Sequence, residues 1–511
     1  MTARVGAVDA AADGPPDGAV LRLRHDTRVS DGGRSLTGGA PTRVLYLTAA
    51  AQGLLRGREL RVRDARSRAL GARLLEAGLA DPVLSSLPAS AAGAADVTFV
   101  IPAFGRADGL DRLLGSIPSG HPVIVVDDAS PDPAPIAAVA ARHGARLVVL
   151  DVNVGPGGAR NAGLALVATR FVAFVDTDVV VDERVVPALL RHFADPRLAV
   201  AAPRVRGLHN GAETNWIGRY EAARSSLDLG PHGGNVRPRA PISWVPATFL
   251  LARTDALGDG FLALREGEDV DLVWRLVAAG WRVRYEPEAQ VRHDHRTTVR
   301  GWLSRKALYG SSADPLAARH GRIIAPAVFA PWGLAFAGAL LAQRRWSVPV
   351  AAGIAAVAAV RIGRKLGGSR YPYRAAARLT ADGVGATMTQ TSAMLVRHWW
   401  PVTVVAALFS KRIARAAVVA AVADGAIEYL RLRPRLDPVR FIAARRLDDL
   451  AYGFGVWRSA WRGRSLRALL PDITWSRRRS GERAGAKAVS GADAAPTPAA
   501  ASAAPRLTAR S

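Results

Sequence analysis

The 511-residue sequence contains no cysteine. That excludes disulfides and thiolate metal sites, and it fits a reducing compartment. Acidic side chains are in short supply, 43 against 69 basic ones, leaving a net charge of +26. Such a balance favours anionic partners, acidic lipid headgroups or phosphorylated substrates among them. Nucleic acid is not expected: the chain has no aromatic-and-basic RNA signature, no zinc-finger spacing and no recognition helix. The N-terminus lacks the basic-then-apolar pattern of a signal peptide, so the first domains are expected on the cytosolic side.

Long apolar runs are scarce too. Ile323–Ala342 is uncharged for 20 residues, just enough for one bilayer span; Ser347–Val360 and Trp399–Ser410 are shorter. Arg344 and Arg345 would put positive charge outside in a two-span hairpin. Helices pressed on an anionic surface, at the cytoplasmic face of the cell membrane, fit at least as well. The competing reading is an Ala-rich helical domain packed on the rest of the chain.

The expected organisation has five parts. Residues 1–19 are Ala/Gly/Asp/Pro-rich and expected to be disordered. Residues 20–88 form a small unit of two strands and three short helices, winged-helix-like, with a hairpin turn at Asp31-Gly32-Gly33. Residues 96–320 alternate short apolar strands (Val97–Ile101, Val123–Val126, Arg146–Leu150, Phe171–Val175) with helices. That grammar predicts an α/β sheet whose ligands sit beyond the strands' carboxyl ends. Residues 321–476 are read as a mostly helical, membrane-associated region, and 477–511 as a disordered tail.

Chemistry-bearing residues cluster in the α/β part. Asp127 and Asp128 follow a buried strand, where a carboxylate can accept a uracil imide N–H or a ribose hydroxyl; capping of a turn is the competing role. Asn153 to Asn161 is a glycine-rich loop opening a helix, with Arg160 available to a diphosphate. Asp176 and Asp178 end an apolar strand as Asp-x-Asp. If extended, both would face one hard cation, magnesium or manganese, and leave positions for diphosphate oxygens. Glu268, Asp269 and Asp271 start an amphipathic helix, where an ionised carboxylate can serve as a general base. His293 and His295 follow a strand predicted at Val283–Tyr285, and one of them could complete the metal shell.

In order and spacing, Ile101-Pro102, Asp127-Asp128-x-Ser130, the Asn153–Gly163 loop, Asp176-x-Asp178, Glu268-Asp269-x-Asp271 and His293 resemble the family 2 glycosyltransferases. The resemblance implies the GT-A, Rossmann-like fold and inverting transfer from a nucleotide sugar with a divalent metal. It assigns Pro102, Phe104, Asp127, Asp128, Gly157 and Arg160 to the nucleotide, and Asp176, Asp178 and His293 to the metal diphosphate. Asp269 becomes the base with Glu268 beside it, while Trp244, Pro246 and Thr248 line the acceptor side. No Gln-x-x-Arg-Trp follows, which argues against a processive polymer synthase.

The N-terminal unit is similar to PqqD-type peptide-recognition modules, through Leu21–Leu23, Leu36–Pro41 and Val44–Thr48. A PqqD-like module on such a transferase resembles the mycofactocin-system glycosyltransferases. That likeness implies a UDP-glucose donor and a peptide-derived acceptor, premycofactocin, on which a short β-1,4-glucan is built. The alternative is a cell-envelope enzyme acting on a lipid-linked or polysaccharide acceptor.

Overall fold

The computed structural model describes residues 14–208 and 215–474. The tail 477–511 and residues 1–13 lie outside these. Residues 14–19 depart from the expected disorder. Ala19 is wholly buried, and Gly18 N donates to Val62 O at 2.9 Å.

The N-terminal unit comprises β1 (Val20–Leu23), β2 (Arg28–Ser30), β3 (Ser35–Gly38), β4 (Arg43–Tyr46), α1 (Ala49–Leu54), β5 (Leu55–Arg56), β6 (Glu59–Arg61), α2 (Ala65–Ala77) and β7 (Ala80–Pro82). They form two antiparallel sheets, β2-β3-β4 and β5-β6-β1-β7. The unit thus holds more strand and less helix than the pattern suggested, because strands of two to four residues are too short to show alternation. The β2–β3 turn falls on Asp31-Gly32-Gly33, where both glycines take positive φ (67° and 91°). Asp64 caps α2 by accepting from Ser67 N at 2.7 Å, and Gly78 ends it in the left-handed region. Leu21, Leu36, Leu60 and Leu74 close the core between the sheets and α2.

The α/β part runs β8 (Val97–Ala103), α3 (Ala107–Leu114), β9 (Val123–Asp127), α4 (Ala134–Arg142), β10 (Arg146–Val149), α5 (Gly155–Leu164), β11 (Phe171–Val175), β12 (Val179–Val181), α6 (Val185–Leu190), β13 (Leu198–Gly207), α7 (Trp216–Arg224), β14 (Gly234–Asn235), β15 (Phe249–Arg253), α8 (Glu268–Ala278) and β16 (Arg282–His293). The sheet order is β10-β9-β8-β11-β15-β13-β16-β12, with β14 on β16. Strands β10, β9, β8 and β11 are parallel; β15 then enters antiparallel to both β11 and β13. Both faces are buried: Phe99, Phe171 and Phe249 belong to one core cluster, Phe174, Leu250 and Trp274 to the other. Their near-continuous apolar sequence follows from that double burial. The parallel strands end together, which brings residues 102–106, 127–130 and 176–178 to one edge.

Beyond it lie α9 (Val299–Ser311), α10 (Ala313–His320), β17 (Val328–Phe329), α11 (Pro331–Leu341), α12 (Ser347–Gly363), α13 (Pro372–Ala393), α14 (Trp400–Phe409), α15 (Lys411–Leu432), α16 (Pro438–Arg462) and β18 (Asp472–Ile473). The twenty-residue span expected at Ile323–Ala342 is not one helix. A 3-10 turn ends at Ile324, Pro326 follows it, and only Pro331–Leu341, opened by its own proline, is α-helical. Among the described residues no single helix is long and apolar enough to cross a membrane; α13 with α14, bent by 89°, passes only as a pair. The region is anchored to the α/β part through α9. There buried Lys306 meets Ser226 Oγ (2.9 Å), Glu221 (2.9 Å) and Asp448 of α16 (3.4 Å). Trp302 Nε1 donates to the same Glu221 at 2.9 Å.

Candidate active site

At the end of β9, Asp127 is wholly buried. Its Oδ1 accepts from Ser130 N (3.1 Å) and Ser130 Oγ (2.5 Å), while Oδ2 is buried without a partner. A buried, unmatched acceptor is costly unless a ligand supplies the donor. Asp128 is different: its two oxygens accept from Val154 N (2.7 Å) and Gly155 N (2.9 Å). The carboxylate expected on the nucleotide is therefore spent on fixing the glycine-rich loop. Pro102 is half-buried at the end of β8, and Phe104 lies exposed beyond it.

Gly157 and Asn161 of α5 likewise serve packing. A Cβ on Gly157 would sit 2.8 Å from Leu262 O, so only glycine lets α5 come this close to the 261–268 loop. Asn161 exchanges two hydrogen bonds with the backbone of Phe261, at 2.6 and 2.8 Å. Between them Arg160 is buried beneath the site, where it bridges Asp176 Oδ1 (2.6 Å) and Glu268 Oε1 (2.8 Å). Burial opposes its charge, but Asp176 and Glu268 outweigh that and raise its pKa further.

The Asp-x-Asp pair does not have the extended geometry expected of it. Val179 N donates to Asp176 O at 3.2 Å, making 176–178 a turn between β11 and β12. The two carboxylates accordingly meet different partners. Asp176 faces Arg160, whereas Asp178 Oδ2 pairs with Arg106 at 2.7 Å and Oδ1 lies 3.3 Å from His293 Nε2. At Asp178 burial favours the neutral acid, yet His293 and then Arg106 outweigh it and hold the carboxyl well below the usual range. Asp178 Oδ1 is buried and lacks a properly aimed donor. His293 Nδ1 is 3.2 Å from His295 Nδ1; burial and then His293 push His295 down to about 3. Among the described residues no three His, Asp or Glu side chains converge as a complete metal cage. The donor set that does fit a hard cation is partial, the free Asp178 oxygen beside an imidazole, with diphosphate and water to complete it.

Opposite stands the start of α8. Gly267 turns into it with φ 83°, and a Cβ there would meet Ser312 at 2.9 Å. Asp269 is half-buried, its Oδ2 accepting from Ala247 N (3.2 Å) and Oδ1 from Val270 N (2.7 Å). Burial, and next the charge of Glu268, push its carboxyl up to about 7. Asp271 is wholly buried among Arg275 (2.7 Å), Arg319 (2.8 Å) and His320 (2.9 Å), a structural role. The Trp244–Thr248 segment runs beside Asp269. Trp274 of α8 holds Ser243 O at 2.7 Å, and Thr248 O accepts from Asp176 N at 3.2 Å. Pro246 and Thr248 are buried and Trp244 half-exposed.

Three participants carry no motif. Arg106 stands on Asp178. Arg305 lies 3.6 Å from Glu266. Glu266 itself is pushed up to about 7, by burial first, with Arg305 opposing and Glu268 adding to the rise. The only sequence signal for Glu266 is its place two residues before the acidic helix start.

An unmatched oxygen on Asp127, the Asp176–Asp178 turn and the Asp269 carboxyl pushed up to about 7 thus stand around one edge of the sheet. The family 2 glycosyl transferase profile matches residues 98–256, the stretch from β8 to beyond β15. The chain belongs to the family that includes the pre-mycofactocin glycosyltransferase of Mycobacterium tuberculosis, to which it is 40% identical over 481 residues, 90% of this chain and 98% of that protein. An uncharacterized glycosyltransferase of Mycobacterium bovis is 35% identical over 190 residues, 37% of this chain and 81% of that one. A solved mannosyltransferase of Pyrobaculum calidifontis, in complex with GDP-Man and Mn2+, matches 60% of this chain and 89% of its own, at 19% identity and a TM-score of 0.35.

Proposed function

We propose that this glycosyltransferase moves glucose from UDP-glucose onto premycofactocin and extends it into a short β-1,4-glucan with inversion at each step. The observation that carries the reading is Asp269. A carboxyl raised to about 7 and held by Ala247 N can take a hydroxyl proton near neutral pH, where an ordinary carboxylate is a weaker base. Asp127 Oδ2 would accept the uracil imide N–H, and Asp176 and Asp178, with His293, would hold the divalent metal. When bound, the metal neutralises the departing diphosphate. Arg160 holds Asp176 and Glu268 in place through its two hydrogen bonds, so the groups around the reacting sugar are positioned before the donor arrives. Asp269 then removes the acceptor proton as its oxygen attacks the anomeric carbon. The acceptor enters along Trp244–Thr248.

The N-terminal unit would recognise the peptide-derived acceptor as a PqqD-type module. Exposed apolar side chains on α12, α14 and α15 (Val348, Leu408, Phe409, Val418 and Leu430) lie in the same region as Arg344, Arg345, Lys411 and Arg412. That mixture suits attachment to an anionic bilayer at the cytoplasmic face. The test is purified enzyme with a panel of nucleotide sugars and premycofactocin, following released nucleoside diphosphate and product mass. Release from UDP-glucose with a hexose-sized mass gain is expected. Release only from another nucleotide sugar, or transfer only to a lipid-linked acceptor, overturns the reading.

A further inference from the structure

Arg106 sits at the N-terminus of α3 with left-handed backbone (φ 57°, ψ 45°), a conformation that costs a non-glycine residue roughly 1 kcal/mol. The preceding Gly105 is also left-handed (φ 61°), and its N–H donates to Ser130 Oγ at 2.8 Å. Ser130 Oγ in turn donates to Asp127 Oδ1 at 2.5 Å. One short chain of bonds therefore joins the candidate nucleoside acid to the loop that carries Arg106. From that loop the half-exposed Arg106 side chain reaches inward to the nearly buried Asp178, at 2.7 Å. Positive charge is already in surplus there: Arg296 is disfavoured as a cation by burial first, then by Arg305 and Arg106. A guanidinium on Asp178 holds a place that a cation would need, beside charges that await an anion.

We propose that Arg106 is a positioning residue that pairs with Asp178 while no cation is there, and turns to the donor's diphosphate once Asp178 is taken. This rests on reading Asp176 and Asp178 as the metal-diphosphate site. Metal and nucleotide are thereby loaded together, because either alone leaves one charge unmatched. The cost to the metal alone is the fraction of time Asp178 is uncovered; if Arg106 covers it nine-tenths of the time, apparent affinity falls about tenfold.

The experiment is calorimetry on the full chain with MnCl2 alone, and with uridine diphosphate in excess Mn2+, comparing wild type with Arg106→Gly and Arg106→Lys. Glycine suits the left-handed backbone, and melting temperature checks folding. Removing the guanidinium is expected to tighten Mn2+ alone by about fivefold to tenfold and weaken uridine diphosphate by at least as much, with lysine in between. A residue that merely supports the loop would weaken both; parallel weakening, or no change in either, overturns the proposal. Failure of the wild type to bind Mn2+ with or without the nucleotide would instead remove the metal reading beneath it.

Discussion

Asp269 carries opposed demands that measurement can separate. With its carboxyl near 7, the proposed base is lost as pH falls through that value, so transfer should drop about tenfold per unit below it and level off above. The stability sign is the reverse. A carboxyl raised in the folded state contributes most stability when protonated, and that contribution is lost as pH rises through the folded value. Asp269→Asn is therefore expected to lose transfer by roughly 100-fold or more, while melting about 2–4 °C higher at pH 8; the gain should shrink towards pH 5. Near-normal turnover by Asp269→Asn, with Glu268→Gln inactive, would place the base one residue earlier. Asp127→Asn tests the unmatched oxygen. Uridine diphosphate binding should weaken about tenfold, with little change in melting, since the Ser130 bonds can persist.

At the scale of elements, the parallel strands were legible because each is a run of apolar residues between polar ends, buried on both faces. β13 and β15 were not anticipated as the antiparallel centre, since nothing in an apolar run states which way it pairs. The Asp-x-Asp motif was legible as a motif, but its turn was not; that depends on β12 reversing to pair with β16. The loop predicts Arg160 near the nucleotide. Its two partners lie 16 and 108 residues away, and no local pattern announces such a bridge. Gly157 shows the same limit, since its necessity comes from Leu262 O. Gly157→Ala should push α5 off the 261–268 loop, at a cost of about 1–3 kcal/mol. Because that loop leads into Glu268 and Asp269, transfer should fall more than donor binding. Denaturant midpoints and steady-state kinetics would check both.

At the scale of the whole molecule, the N-terminal unit is fastened by polar contacts to its neighbours. Asp81 bridges Arg24 and the buried Arg284, each at 3.0 Å. Arg237 donates to Glu76 O at 2.9 Å, Arg191 to Leu87 O at 2.9 Å, and Arg28 pairs with Asp382 of α13 at 2.6 Å. Cutting one partner from a buried pair strands the other. Asp81→Ala should accordingly destabilise the chain by about 2–3 kcal/mol, seen as a lower denaturant midpoint. The sequence separates residues 20–88 from 96–320, but the arginines that fasten the two are scattered along the chain.

That fastening changes how a captured acceptor would meet the carboxylates of the proposed site. On a loose tether, a bound peptide gains an effective concentration that declines gently with tether length. On a unit clamped by Asp81, Arg284 and Asp382 the gain is closer to all-or-none, high for an acceptor whose reach matches the fixed span and negligible for one too short. On the proposed reading, each added sugar would move the growing end relative to that anchor. The clamp would then act as a ruler, with glycan length set by the distance between two surfaces that do not move apart.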